Sequence, residues 1–239
     1  MVNIHVASQD ECSHLAAKFV ATDLVLEHPV IGLATGRSTV SLYEELVNMH
    51  HQGTINLNHA MWVMLDEFVG IEPQDLRSFR QQLSRNFFDA FDSDNKKLIG
   101  PQLSLSEPEM IRTDFSRATE DLVINLQILG IGRNGHIGFN EPGTPASSRT
   151  QLVNLDPSTI NDLDPVEWEV TDQPICAVTR GIADIYEAQK LILLAFGSAK
   201  AQAIKGALLD PISPDCPASF LRDHPDLHVF IDAQAASLL

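Results

Sequence analysis

An apolar run that passes directly into a glycine-rich polar segment constrains this chain more than any other feature. Residues 122–131 are apolar except for Asn125 and Gln127, and glycines recur at positions 130, 132, 135 and 138. This pattern predicts a buried strand ending in a loop whose backbone N–H groups are open to a ligand. The polar side chains of the loop are Asn134, His136, Asn140 and Glu141. Open α/β sheets bind ligands just beyond the C-terminal ends of their strands, so the loop predicts a site.

Short apolar runs alternate with helical patterns along the rest of the chain. Strands are predicted over residues 2–7, 30–34, 60–65, 191–196 and 227–231, and helices over residues 78–91 and 107–119. Further helical stripes follow the first two strands and the strand at 191–196. The alternation predicts an α/β fold: one domain over residues 1–239 with an open, mainly parallel, Rossmann-like sheet and helices on both faces.

Composition excludes several classes of function. A net charge of -16 argues against binding nucleic acid or an anionic membrane, because both are bound by clustered Lys and Arg. The three cysteines are far apart and match no metal-ligand spacing, which favours reducing cytosol. The chain contains no run of about 18 apolar residues, so the sequence predicts no membrane helix. We expect a cytoplasmic protein with no nucleic-acid or membrane partner.

Four polar clusters each follow a predicted strand, and in a parallel sheet they would gather at one edge. The clusters are Thr35, Gly36, Arg37, Ser38 and Thr39; Asp66 and Glu67; residues 134–141; and residues 197–200, which end in Lys200. This recurrence at strand ends predicts a single site.

Two of the clusters predict a phosphate site. Arg37 and Lys200 lie at or near helix starts, where the helix dipole disfavours a cation by up to about 1 kcal/mol unless an anion is bound. Free amides after Gly36 would add to such a site. The alternative is that Ser38 and Ser198 only cap helices and the cations are solvated.

The other two clusters predict acid–base chemistry. Asp66 ends an apolar strand, so partial desolvation would suit it as a general base. The alternative is a helix cap or loop anchor. His136 has room beside glycines to meet a ligand, and Glu141 or Asn134 could set its tautomer. The alternative is a loop histidine bonded to the backbone. The spacing matches no zinc motif, so no metal is expected.

Residues 65–70 and 132–143 resemble the signature segments of the glucosamine-6-phosphate deaminase family. The resemblance covers nearly the whole chain, including residues 33–36, 197–200 and 233–239. The related 6-phosphogluconolactonases have a similar sheet, but they usually carry an arginine after the Asp-Glu pair and lack the Phe-Asn-Glu-Pro continuation. The resemblance implies a reaction without metal or organic cofactor.

The resemblance also implies roles for individual residues. Asp66 would move a proton from C2 to C1 of open-chain glucosamine 6-phosphate, giving fructose 6-phosphate and ammonia after hydrolysis. His136 would assist ring opening while Glu141 and Asn134 hold its imidazole. The sugar and its phosphate would be bound by Thr35, Gly36, Arg37, Ser38, Thr39, Gly132 and Lys200.

The chain departs from the family at residues 154–174, a long polar connection for which the sequence predicts a lid, with a plain surface excursion as the alternative. Relatives bring an arginine to the phosphate in an Asn-x-Arg-Phe-Phe-like lid sequence, whereas residues 154–174 contain no Arg or Lys. We expect Arg37, where the family usually has a small residue, to supply the missing cation with support from Lys200. The chain ends soon after its last predicted strand, without the extension of allosteric relatives, so we expect the short, non-allosteric type as a monomer or small homo-oligomer.

Three alternatives stay open from the sequence. The acidic lid could serve another aminosugar phosphate, and the same fold could support a sugar-phosphate lactonase or isomerase. A non-catalytic sugar-phosphate sensor is less favoured, because the chain begins directly on a predicted strand with no basic helix-turn-helix module. The joint presence of Asp66, His136 and Glu141 also favours an enzyme.

Overall fold

A seven-stranded parallel sheet forms the centre of the molecule, in a computed structural model that describes residues 2–91, 97–105, 107–155, 159–160, 174 and 176–239. The described residues form ten strands: β1 (Val2–Val6), β2 (Val30–Leu33), β3 (Met61–Met64), β4 (Asp66–Val69), β5 (Leu98–Ile99), β6 (Leu126–Leu129), β7 (Gln151–Asn154), β8 (Cys176–Thr179), β9 (Lys190–Ala195) and β10 (Leu227–Ile231). The large sheet has the order β1-β10-β9-β6-β2-β3-β5, and every pairing within it is parallel.

Helices cover both faces of this sheet, as the sequence predicts. They are α1 (Gln9–Ala21), α2 (Arg37–His51), α3 (Phe79–Asn86), α4 (Pro108–Thr119), α5 (Ile182–Tyr186) and α6 (Ala201–Leu208). Ile192 and Leu194 of β9 pack into the apolar cluster with α1, α2 and α3, whereas Leu191 and Leu193 pack with α4, α5 and α6. Alternate residues of a strand therefore fill opposite layers, which is why the strands read as unbroken apolar runs. No described helix has the length and apolar character needed to cross a membrane.

A second, three-stranded antiparallel sheet of order β4-β8-β7 flanks the first, and the sequence analysis did not predict it. Its first strand begins at Asp66, immediately after Leu65, and all four of its residues are buried. Acidic residues are uncommon in strands, so the pattern Asp-Glu-Phe-Val gave only a weak strand signal. Asp66 pairs with Thr179 across the antiparallel ladder.

Other sequence predictions are corrected in detail. The helix predicted over residues 78–91 ends at Asn86 and is followed by a 3-10 turn at Phe88–Ala90. The short strand β5 is not among the strands predicted from the sequence. The predicted lid at residues 154–174 lies largely outside the described residues.

A buried amide fills the space that Gly32 leaves between β2 and β6. Gly32 pairs with Gln127 in the ladder, and a Cβ on Gly32 would lie 2.1 Å from Gln127 Oε1. That oxygen accepts a 2.9 Å hydrogen bond from Arg180 Nη1, while Gln127 Nε2 donates to Ile128 O at 2.8 Å. The polar interruption in the apolar run thus ties the large sheet to the residue that follows β8.

Replacing Gly32 by Ala should lower the free energy of unfolding by about 2–3 kcal/mol, because the new methyl group has no room beside the amide. Urea unfolding of the purified protein measures this loss. In a Gln127→Ala background the same Gly32→Ala change should cost less than about 1 kcal/mol, because the amide is gone. Equal costs in the two backgrounds would contradict the contact.

Candidate active site

The predicted polar clusters meet at the carboxyl edge of the large sheet. Strands β9, β6, β2 and β3 are consecutive neighbours in the sheet and run parallel. The segments that follow them therefore emerge at one edge, and each carries one of the clusters. The small sheet adjoins this edge, because Arg180 N, just after β8, donates a 2.9 Å hydrogen bond to Leu65 O.

Asp66 occupies a nearly dry position at the junction of the two sheets. It is 6% exposed, and burial together with the neighbouring Glu67 raises its pKa well above the usual range for an aspartate. The loop after β6 passes directly against it: Gly138 has φ +56°, and a Cβ there would lie 3.2 Å from Asp66 Oδ2. A carboxyl group in this setting binds a proton more readily than a solvated one, as a general base requires.

His136 and Glu141 form a pair within this loop, with the two side chains 22% and 14% exposed. Although burial acts to raise the pKa of Glu141, hydrogen bonds from His136, Thr159 and Asn134 lower it overall. Glu141 is therefore a carboxylate, so His136 Nδ1 carries a hydrogen and donates it to Glu141 Oε2 at 3.3 Å. This tautomer leaves His136 Nε2 as a proton acceptor for a ligand.

Asn134 supports the pair differently from the sequence expectation that it would hold the imidazole. Its Nδ2 donates to Glu141 Oε2 at 2.8 Å, and its Oδ1 accepts a 3.1 Å bond from the backbone N of His136. It thus orients the carboxylate and the loop backbone rather than the ring. Gly132 lies beneath the ring, since a Cβ there would be 2.3 Å from His136 Cε1. The glycine permits this close approach, a role separate from the substrate contact expected of it.

Two further residues, for which the sequence predicts no role, support the loop. Asn140 is fully buried, and its Nδ2 donates to Ile137 O and to Arg180 O, both at 2.8 Å. Thr179 Oγ1 accepts a 3.2 Å hydrogen bond from Phe139 N. Asn140 and Thr179 fasten the loop to the small sheet. The polar loop sequence pointed to Asn140, but no local signal marked Thr179, which arrives through a distant strand.

The loop before α2 has the form expected of an anion site. Gly36, with φ +123°, is the N-cap of α2, and no side chain caps this helix. Thr39 Oγ1 donates to Ala34 O and Gly36 O, which stiffens the turn. Gly197, with φ +87°, caps the 3-10 turn Ser198–Lys200. Neither Ser38 nor Ser198 is the N-cap, so the alternative reading of these serines does not hold.

Three cations gather beside these turns. Burial, followed by the charges of Arg133 and Arg37, lowers the pKa of Lys200. Arg133 was not predicted as a site residue, although its position between Gly132 and Asn134 was a signal. Mutual repulsion among three cations costs free energy that a bound anion would offset.

Other contacts bear on a cofactor and on the lid. Within the part of the chain that the structure describes, no group of three or more His, Cys, Asp or Glu side chains is arranged to hold a metal ion. A metal-free, cofactor-free reaction stays a prediction. Thr159, inside the predicted lid, donates a hydrogen bond to Glu141 Oε1, so residues 159–160 lie next to the catalytic candidates.

Known proteins of one family are similar to this chain over nearly its whole length. The sequence model of the glucosamine-6-phosphate isomerases/6-phosphogluconolactonase family matches residues 7–229. This chain belongs to that family. Glucosamine-6-phosphate deaminase of Streptococcus gordonii is 40% identical over 237 residues, covering 99% of this chain and 98% of that protein. The deaminase of Streptococcus pneumoniae strain 70585 is 37% identical over 236 residues, with shares of 99% and 98%.

Solved structures of the family show the same architecture. A monomeric glucosamine-6-phosphate deaminase superposes with a TM-score of 0.94 at 34% identity, covering 100% of this chain and 99% of that one. The 6-phosphogluconolactonase of Trypanosoma brucei superposes with a TM-score of 0.79 at 18% identity, covering 100% and 99%. The second likeness concerns the fold alone.

Changing Gly132 to Ala should push the His136 imidazole away from Glu141, because the added methyl would overlap the ring. A crystal structure, or the NMR signals of the His136 ring, would detect the displacement. Gly130→Ala is the matched control, since a Cβ at Gly130 meets nothing within 4 Å. An unmoved ring in Gly132→Ala would contradict the inferred contact.

Proposed function

We propose that this protein is a glucosamine-6-phosphate deaminase, which converts glucosamine 6-phosphate and water to fructose 6-phosphate and ammonia. The observation that carries the proposal is the presence, at one edge of the sheet, of a buried Asp66 and of a His136 whose Nδ1 is bonded to Glu141, which leaves its Nε2 for a ligand. Full-length identity of 40% to a named deaminase supports the same reaction.

In this reaction the two groups act on different atoms of the sugar. His136 Nε2 exchanges a proton with the ring oxygen as the pyranose opens. Asp66 then removes the C2 proton of the open-chain aldehyde and returns it at C1, so that the oxidation level of the carbonyl moves to C2. Water adds to the resulting C2 imine, and ammonia leaves. Asn134 and Glu141 hold His136 in the tautomer that this proton transfer needs.

The phosphate is held by the two glycine turns and the cations beside them. Thr35, Gly36, Arg37, Ser38 and Thr39 surround the start of α2, whose first backbone N–H groups have no side-chain cap and would bind an anion. Lys200 follows β9, which β6 separates from β2, and Arg133, in the loop after β6, is a third cation. Gly132 contributes backbone beside the sugar.

An ammonia-release assay tests the proposal directly. Glucosamine 6-phosphate should release ammonia, and a 6-phosphogluconolactone hydrolysis assay run beside it should show only background. Galactosamine 6-phosphate and N-acetylglucosamine 6-phosphate define which aminosugar is preferred. Ammonia from none of these sugars would end the proposal.

The pH profile should report the protonation of Asp66. Its pKa lies well above that of a solvated aspartate, so the acid limb of kcat/KM should lie well above pH 3.8, with activity falling as Asp66 gains its proton. Asp66→Asn should lower kcat by roughly 10²- to 10⁴-fold. The phosphate itself titrates near pH 6, so the pH dependence of fructose 6-phosphate binding serves as the control. Activity that survives Asp66→Asn would contradict the mechanism.

Removal of a phosphate-binding cation should raise KM with little change in kcat, because the phosphate binds alike in the ground and transition states. Arg37→Ala and Lys200→Met should each raise KM by roughly 10- to 100-fold, the worth of one charge-assisted hydrogen bond. Lys205→Met is the matched control, since Lys205 pairs with Asp210 instead. An unchanged KM in Arg37→Ala would exclude Arg37 as the replacement for a lid arginine.

The proposal also includes an oligomeric state and a cellular compartment. We infer a monomer, because the structural neighbour at TM-score 0.94 is a monomeric deaminase. We place the protein in the cytoplasm, where phosphorylated sugars are metabolised. Size-exclusion chromatography with light scattering, and fractionation of the host cell, test these two points.

A further inference from the structure

Glu67 is a buried acid that the proposed chemistry does not use. It follows Asp66 in β4, is fully buried, and its side chain points to the opposite side of the strand from Asp66. A carboxylate is costly to bury, so its retention in the dry interior requires strong local partners.

Three backbone N–H groups surround this carboxylate. Glu67 Oε1 accepts hydrogen bonds from Phe68 N and Phe79 N, and Oε2 accepts one from Arg80 N, each at 2.9 Å. Phe79 and Arg80 are the first two residues of α3, and Ser78 Oγ accepts the next free amide, that of Gln81. Glu67 thus serves as a cap for a helix that is twelve residues away in the chain.

The same turn of α3 contacts both catalytic segments. The centroid of the Phe79 ring lies 4.6 Å from that of Phe68 in β4. It lies 5.7 Å from the centroid of Phe139, with the two rings stacked, in the loop that carries His136 (the histidine loop). Further along the helix, Gln82 and Asn86 line a cleft together with the glycine turn before α2. Helix α3 therefore forms a wall shared by three segments: its first turn contacts the Asp66 strand and the loop that carries His136, and its later turns face the glycine turn before α2.

We propose that Glu67 is a positioning residue of this enzyme, whose carboxylate fastens the α3 wall of the substrate cleft to the strand that carries Asp66. The inference rests on the proposed function for its kinetic readout, but the fastening itself is a property of the protein without substrate. Glu67 touches no reacting atom.

Charge adds a second consequence. Burial raises the pKa of Glu67 to about 7 against the opposing effect of its three N–H donors and of Arg80. Among the described residues, Arg80 from α3 faces Glu67 and the Tyr43 hydroxyl from α2 faces Asp66. Where Glu67 is ionised, its charge disfavours ionisation of Asp66. Removal of that charge should therefore lower the pKa of Asp66.

The first test compares pH profiles of ammonia release in three variants. Glu67→Gln should lower kcat/KM by at least about 10-fold, and should move the acid limb to lower pH by about half a unit or more. Glu67→Asp keeps the charge but is too short to reach all three amides, so it should raise KM and leave the limb in place. Ser78→Ala removes the other cap of α3 without altering charge, and its limb should match that of the wild type.

Two kinetic results would overturn the proposal. One is a Glu67→Gln limb that stays at the wild-type pH with kcat/KM within about threefold of normal. The other is an equal limb shift in Ser78→Ala, which would show that any loosening of α3 produces the effect.

Amide hydrogen exchange on the substrate-free protein provides the second test. In Glu67→Gln the amide NH₂ faces the Arg80 N–H, so exchange at Arg80 should accelerate at least about 10-fold, with Phe79 affected less. Unchanged protection at both amides would overturn the fastening role. If the wild type releases no ammonia from any aminosugar phosphate, the proposed function fails, yet this exchange experiment still decides whether Glu67 holds α3.

Discussion

The joint between the two sheets is the constraint on which the site depends. Leu65 N donates a hydrogen bond to Leu33 O, at the end of β2 in the large sheet. Leu65 O accepts a hydrogen bond from Arg180 N, which directly follows β8 of the small sheet. Asn140 joins the histidine loop to the same place through Arg180 O. The chain thus passes from one sheet to the other within a single residue. Asp66, the first residue after this crossing, is buried because both sheets enclose it.

The cations at the carboxyl edge of the large sheet are opposite in sign to the net charge of the protein. The chain carries -16 in total, yet three cations gather at the carboxyl edge, where burial lowers the pKa of Lys200 and the charges of Arg133 and Arg37 lower it further. Acids deeper in the joint have raised pKa values because they are desolvated. Under the proposed function, a dianionic sugar phosphate would be drawn to one part of the edge, while its reacting carbons would meet a base that binds protons readily. An acidic surface elsewhere would repel the same ligand from other sites.

Much of this arrangement could be predicted from the sequence because it depends on local patterns. Strands such as β9 are marked by unbroken apolar runs, and turns such as Gly36 by glycine at a strand end. The small sheet could not be predicted, since β4 contains two acids and its partner β8 lies more than a hundred residues away. The site residues likewise divide into those marked by local sequence and those placed by contacts between distant segments. The pairing of His136 with Glu141 was expected from spacing, but the contributions of Arg133 and Thr179 depend on how distant segments meet.

The proposed phosphate site differs from one whose arginine lies on a lid, because its cations lie on the scaffold itself. An arginine on a long connection must be ordered when substrate binds, and that ordering opposes binding. Arg37 and Lys200 instead follow strands of the central sheet directly, on turns stiffened by contacts such as Thr39 Oγ1 to Gly36 O. Binding residues on such elements lose little conformational entropy when phosphate binds, although the three neighbouring cations repel one another without a bound anion. The absence of Arg and Lys from residues 154–174 is then consistent with a site whose charge complement is already fixed in the scaffold.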